Sequence, residues 1–105
     1  MTALSPEQRA RHYELAALLR CSLRAIHQLP DGYDFEFPWN PATYNGLAEI
    51  TSLEHACCPF FDIGIRIESE TNKLCWRLTG PEGIKPFIRA EFGKWFKAKL
   101  AADRR

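Results

Sequence analysis

The stretch "FDIGIRIESETNKLCWRL", residues 61–78, alternates apolar and polar side chains on both sides of a polar turn. Phe61, Ile63, Ile65 and Ile67 fall on one face of the leading arm, against Asp62, Gly64, Arg66 and Glu68 on the other. Leu74, Trp76 and Leu78 repeat the pattern in the returning arm, with Cys75 and Arg77 on the opposite face. A period of two marks a strand buried on one side only. Two such arms across a short turn form an antiparallel hairpin, and its apolar face has to be covered by another layer. "YDFEFPW" supplies a third strand of the same kind, with Tyr33, Phe35 and Phe37 inward, and Pro38 either ends it or places it at a sheet edge. Gly64 leaves the outer face bare at one point, where a neighbouring group or another chain can approach the backbone.

Three helical segments are available to cover that face. Ser5-Pro6-Glu7 combines a capping serine, a proline suited to the first helical position and an acid that complements the dipole. Leu15, Leu19, Leu23 and Ile26 then predict one apolar stripe on a helix reaching about Gln28, before Pro30 and Asp31-Gly32 turn the chain. Asn40-Pro41 repeats the start signal, and the second helix should run to about Cys58, because Pro59 disfavours helical geometry in the residue before it. In "TGPEG", Thr79 and Glu82 have capping-box spacing, but Pro86 removes a helical donor, so the last regular helix should begin near Ile84. Ile84, Ile88, Phe92 and Trp95 form its buried stripe, widened by Phe87 and Phe96. That width points to partial cover by a second subunit, hence a homodimer. The expected fold is α+β: a two-layer, three-stranded antiparallel sheet with three helices on one face, in the order α-β-α-β-β-α.

Composition limits what such a fold can do. At 105 residues the chain is a single domain, residues 1–105, with one core. Its formal charge of +1 is spread along the chain, so it lacks the basic patch of a nucleic-acid binder. The basic residues of "GKWFKAKLAADRR" read as the polar face of a terminal helix. No run approaches the ~18 apolar residues of a membrane span. The start, "MTALSPEQRARHYE", lacks the basic and apolar regions of a secretory signal, so a cytoplasmic location with reduced thiols is expected. Cys21, Cys57, Cys58 and Cys75 form no C-x-x-C pair and no disulfide framework.

The chemistry-bearing segment is "EHACCPFF", residues 54–61. On a helical wheel of about 100° per residue, Leu47, Ile50, Leu53 and Cys57 share an arc, so Cys57 is expected to face the core. Cys58 lies at the arc's other edge, four residues after Glu54 and on the side of His55. Glu54 stands where an apolar side chain belongs, and a carboxylate there needs a partner, solvent or a proton. The plain structural reading is a salt bridge or hydrogen bond, for instance to an arginine of the first helix or of the sheet rim. The functional reading is a polar notch of Glu54, His55 and Cys58. A helix C-terminus and a nearby acid both oppose a thiolate, which disfavours nucleophilic catalysis and an enzyme. A soft or borderline metal ion reverses that balance, because it deprotonates the thiols that bind it. Both sulfurs reach one atom only if the last turn unwinds at Pro59; a strained vicinal disulfide is the oxidised alternative. Cys21 reads as packing and Cys75 as a residue of the outer sheet face. His12 and His27 show no ligand spacing and read as surface or capping groups. "TGPEG" lacks the lysine-serine pair of a phosphate loop.

"EHACCPFFDIGI" and "WRLTGPEGIKPFI" together resemble a family of small, mostly uncharacterised bacterial proteins with an E-x-x-C-C-P-F motif followed by Leu-Thr-Gly-Pro-Glu-Gly. The resemblance covers roughly the second half of the chain. By position it maps the motif onto Glu54, Cys57, Cys58 and Pro59. Similar proteins occur near heavy-metal resistance functions, which tilts the expectation towards a soft metal. Two functions follow as expectations. The first is a metal or thiol-reactive ligand bound by Cys57 and Cys58, with Glu54 and His55 as further donors. The second is a non-catalytic interaction or regulatory module in which Cys-Cys-Pro-Phe is structural.

Overall fold

Period-two patterning is realised in four strands, and the helical stripes in four helices. The computed structural model describes residues 4–103. The elements run α1 (Pro6–Ser22), β1 (Ala25–Leu29), β2 (Gly32–Pro38), α2 (Pro41–Cys57), β3 (Asp62–Glu68), β4 (Lys73–Thr79), α3 (Ile84–Glu91) and α4 (Gly93–Asp103). The strands form one antiparallel sheet in the order β1-β2-β4-β3. The α+β class and antiparallel pairing agree with the expectation; the element count differs at two places. Expectations for residues 1–3 and 104–105 lie outside the described residues.

The first difference is β1, which occupies the end of the segment expected to be helical. The last residue of α1 is Ser22, and the cap residue Leu23 is already extended at φ −61° and ψ 130°. Leu23 and Ile26 are both buried, as the stripe required, but Ile26 points inward from a strand, opposite Phe35. Three-residue spacing between two apolar residues does not distinguish the alternatives. Pairing with β2 across the turn at Pro30 and Asp31 decides them, and it makes β2 a central strand that ends at Pro38. The second difference is a break at Phe92, with φ −114° and ψ 38°, which splits the last helix into α3 and α4. The Thr79 capping box is absent too: α3 starts after Gly83, in the left-handed region at φ 90°, with no side-chain cap.

Other starts follow the sequence closely. The Ser5 hydroxyl accepts from the Gln8 amide at 3.1 Å, and the Gln8 side chain accepts from the Ser5 amide at 2.9 Å. The Asn40 side chain accepts from the Ala42 and Thr43 amides at 2.8 and 3.3 Å. These bonds satisfy helical donors that have no partner within the helix.

Ile26, Phe35, Trp76 and Ile65 form one cross-strand row on the inner face, flanked by Tyr33, Phe37, Leu74 and Leu78. Leu15 and Leu19 of α1, Leu47 and Ile50 of α2, Ile88 of α3, and Trp95 and Phe96 of α4 join them in one core. The buried indoles keep hydrogen bonds: Trp76 Nε1 donates to Thr51 Oγ1 at 2.9 Å and Trp95 Nε1 to the Ala16 carbonyl at 3.1 Å. Of the aromatic set expected to reach a second subunit, Phe92, Trp95 and Phe96 are buried within the chain, and Phe87 is exposed.

The outer face is charged. Cys75 lies there as expected, between Glu36 and Arg66, and is nonetheless buried. Around it Lys73 pairs with Glu36 at 3.4 Å, and Arg66 with Glu68 at 2.8 Å and with Asp34 at 3.4 Å. Among the described residues no helix is long and apolar enough to cross a membrane.

Candidate functional site

Two features meet near the C-terminal end of α2: a pair of thiols and a buried cluster of ionisable groups. The thiols are placed by Pro59, whose ring disfavours helical geometry at the residue before it. Cys58 accordingly leaves the helix, at φ −130° and ψ 73°, although its amide still donates to the Glu54 carbonyl at 2.7 Å. Side chains of adjacent helical residues diverge by about 100°. Here the break swings the second one back, and the two Sγ atoms lie 2.9 Å apart as free thiols. Convergence does not need the expected unwinding of the last turn: the turn stays helical through Cys57, and the changed backbone of Cys58 alone is enough.

The same rotation exchanges the expected burial of the two cysteines. Cys58, expected at the outer edge, is 3% exposed and belongs to the core. Cys57, expected to face inward, is half-buried and packs against the core from its rim. A helical wheel has no means of following a residue whose backbone has left the helix. Burial pushes the Cys57 thiol up; its hydrogen bond with Cys58 opposes this, and the charges of Glu54 and Glu91 add to it. Cys58 is raised much further, by burial first, then by its bond with Cys57 and by the charges of Cys57, Glu54 and Glu91. Both groups are thiols, not thiolates, at neutral pH.

Glu54, one turn before Cys58, has no exposed surface. The plain structural reading is met in kind, a hydrogen-bonded ion pair, with a histidine of α1 in the place of an arginine: Glu54 Oε2 and His12 Nε2 are directly bonded between α2 and α1. Glu91, the last residue of α3, completes the cluster, with one donor atom from each of the three residues within 4.8 Å of the others. Two buried carboxylate oxygens, Glu54 Oε1 and Glu91 Oε2, have no hydrogen-bond partner. Burial works against a charged His12, but the bond to Glu54 and the charges of Glu54 and Glu91 prevail and hold its pKa above the ordinary histidine value. Burial, then the charge of Glu54 and a hydrogen bond between the two carboxyls, raise the Glu91 carboxyl against the opposing charge of His12. A cavity of about 140 Å³, lined by Arg9, His12, Tyr13, Ala16 and Glu91, adjoins the cluster.

The four residues singled out in the sequence are therefore separated by environment. Cys57 and Cys58 converge, Glu54 turns to His12, and His55 is exposed. His12, expected at the surface, is 7% exposed, whereas His27 is exposed on β1 and bonds Glu36 at 2.9 Å. Cys21, expected as packing, is exposed. His12 and Glu91 were missed, yet both carry the signal that exposed Glu54. Each continues an apolar stripe at helical spacing: His12 with Leu15 and Leu19, Glu54 with Leu47 and Ile50, Glu91 with Ile84 and Ile88. Polar residues in the apolar stripes of three different helices have to meet one another inside. No family model, curated protein or solved structure matches the chain.

Proposed function

We propose that this protein binds a thiophilic metal or metalloid ion through Cys57 and Cys58, with trivalent arsenic the best chemical fit. The observation that carries this reading is the convergence of the two sulfurs, 2.9 Å apart where the helix stops. Sulfurs that converge suit a centre that grips both at a narrow angle after a small separation, as trivalent arsenic does, whereas two-coordinate mercury(II) or copper(I) asks for a linear arrangement. Protonation of the pair points the same way. Arsenous acid reacts with two thiols by exchanging two As–OH bonds for two As–S bonds, and the thiol protons leave in two molecules of water. No thiolate has to be stabilised beside Glu54, so the raised thiol pKa values do not oppose binding.

Half-exposed Cys57 is the first sulfur an incoming ligand meets, and Cys58 closes the chelate from within. Glu54 and His55 act as further donors only for an ion that requires more than two sulfurs, Glu54 after parting from His12. A reducing compartment such as the cytoplasm keeps the pair in its dithiol form. A second reading is favoured by one observation: Cys58 is almost wholly enclosed in the core, as a purely structural terminator would be. Titrating the reduced protein with arsenite separates the two. Ligation predicts one equivalent bound and a raised Tm, both lost in Cys57→Ser, Cys57→Ala and Cys58→Ser alike. A structural role predicts no arsenite effect on Tm, with Cys58→Ser less stable than Cys58→Ala.

A further inference from the structure

The cluster of His12, Glu54 and Glu91 is unusual for a purely structural network. It brings two carboxyl groups and one imidazole into the interior from three helices, yet one oxygen of each carboxyl meets no N–H or hydroxyl donor, and the two acids face each other. Buried polar groups are rarely left unpaired, and such an oxygen calls for an explanation, an unseen ion among them. Glu54 is fully enclosed, so no solvent reaches its free Oε1. Beside the three residues is a cavity through which a small ion can enter.

We propose that His12, Glu54 and Glu91 form a binding site for a divalent transition-metal ion, zinc being the first choice, separate from the thiol pair. One imidazole nitrogen with two carboxylates is a mixed donor set suited to zinc, iron or manganese; magnesium and calcium favour oxygen donors alone. Bonds of about 2.0–2.2 Å to zinc place tetrahedral donors roughly 3.3 Å apart. The three donor atoms lie within 4.8 Å of one another, so moderate side-chain movement reaches that arrangement. His12 Nε2 and Glu54 Oε2, now in direct contact, separate to admit the ion. Three protein ligands leave a fourth position on the cavity side for water or an anion, as in zinc sites that keep an open coordination position. The ion's charge offsets both carboxylates, a role that His12 alone fills for only one.

The test uses chelator-treated reduced protein and two probes. Cobalt(II) added to Cys57→Ser/Cys58→Ser is expected to give visible bands of nitrogen and oxygen ligation. Zinc chloride titrated calorimetrically into Cys57→Ser/Cys58→Ser is expected to show one equivalent bound, with affinity reduced at least tenfold by adding Glu91→Gln or His12→Gln. Glu91 is only partly buried, so Glu91→Gln is the variant better suited to keep the fold, as circular dichroism will report. A cobalt spectrum without nitrogen and oxygen bands overturns the proposal, as does the absence of zinc binding. Zinc affinity unchanged by both substitutions overturns it equally. Arsenite chelation by the two sulfurs needs no oxygen of Glu54 and stands or falls independently of these results.

Discussion

Glu54 has one carboxylate oxygen bonded to His12 and the other unpartnered, in a position with no access to solvent. Removing one member of a buried charged pair typically costs about 3–5 kcal/mol, because the other is left uncompensated. The pH dependence follows from His12. Its folded pKa is raised, so its contribution is complete below the unfolded value of about 6.5 and is lost as pH rises through the folded value. Urea unfolding of the metal-free protein should therefore show stability falling as pH rises above about 6.5, and His12→Gln should flatten that part of the profile. Glu54 was legible in the sequence as an acid on an apolar arc, but its partner was not. His12 lies 42 positions away, and nothing local announces that two helical stripes will face each other. The exchanged burial of Cys57 and Cys58 was hidden for another reason. It depends on one residue's φ and ψ, which proline at position 59 constrains without specifying.

At the scale of elements, the end of α2 positions the chemistry. Pro59→Ala removes the restriction on Cys58 and lets the helix continue, sending the two thiols in divergent directions. Arsenite affinity, measured calorimetrically, should fall at least tenfold while the far-ultraviolet circular dichroism stays folded; unchanged affinity would contradict the role given to the helix end. The sheet offers a paired test at two glycines. A Cβ at Gly32 would lie 1.9 Å from the Leu78 carbonyl oxygen, so Gly32→Ala has to push β2 and β4 apart. Overpacking of this kind costs about 1–3 kcal/mol. A Cβ at Gly64 meets nothing within 4 Å, and Gly64→Ala should stabilise by about 0.5–1 kcal/mol, the usual penalty of glycine inside a strand. Chemical denaturation of the two variants gives both signs. Period-two strands and capped helix starts were readable because each is fixed by residues close in sequence. β1 was not, because Leu23 and Ile26 suit a helix as well as a strand and only pairing with β2 decides between them. The break at Phe92 likewise reflects packing of both halves onto the sheet, with Phe92 itself buried against Phe35 and Trp76.

Across the whole molecule, α1, α2 and α3 converge on one buried polar cluster, and the thiol pair stands at the rim of the same core. Ligands at either place contact residues that also hold the fold together, so binding is linked to global stability. A ligand present at 100 times its Kd adds about 2.7 kcal/mol. The class of fold, its antiparallel sheet and the position of the thiols follow from patterns within single segments, whereas the polar cluster exists only where three segments meet. Arsenic K-edge X-ray absorption on the reduced protein loaded with one equivalent of arsenite tests the thiol chelate most directly. Chelation by Cys57 and Cys58 predicts two As–S bonds and one As–O bond per arsenic, lost on replacing either cysteine by serine. Three As–O bonds in the wild-type sample, or an unchanged sulfur shell in both serine variants, would contradict it.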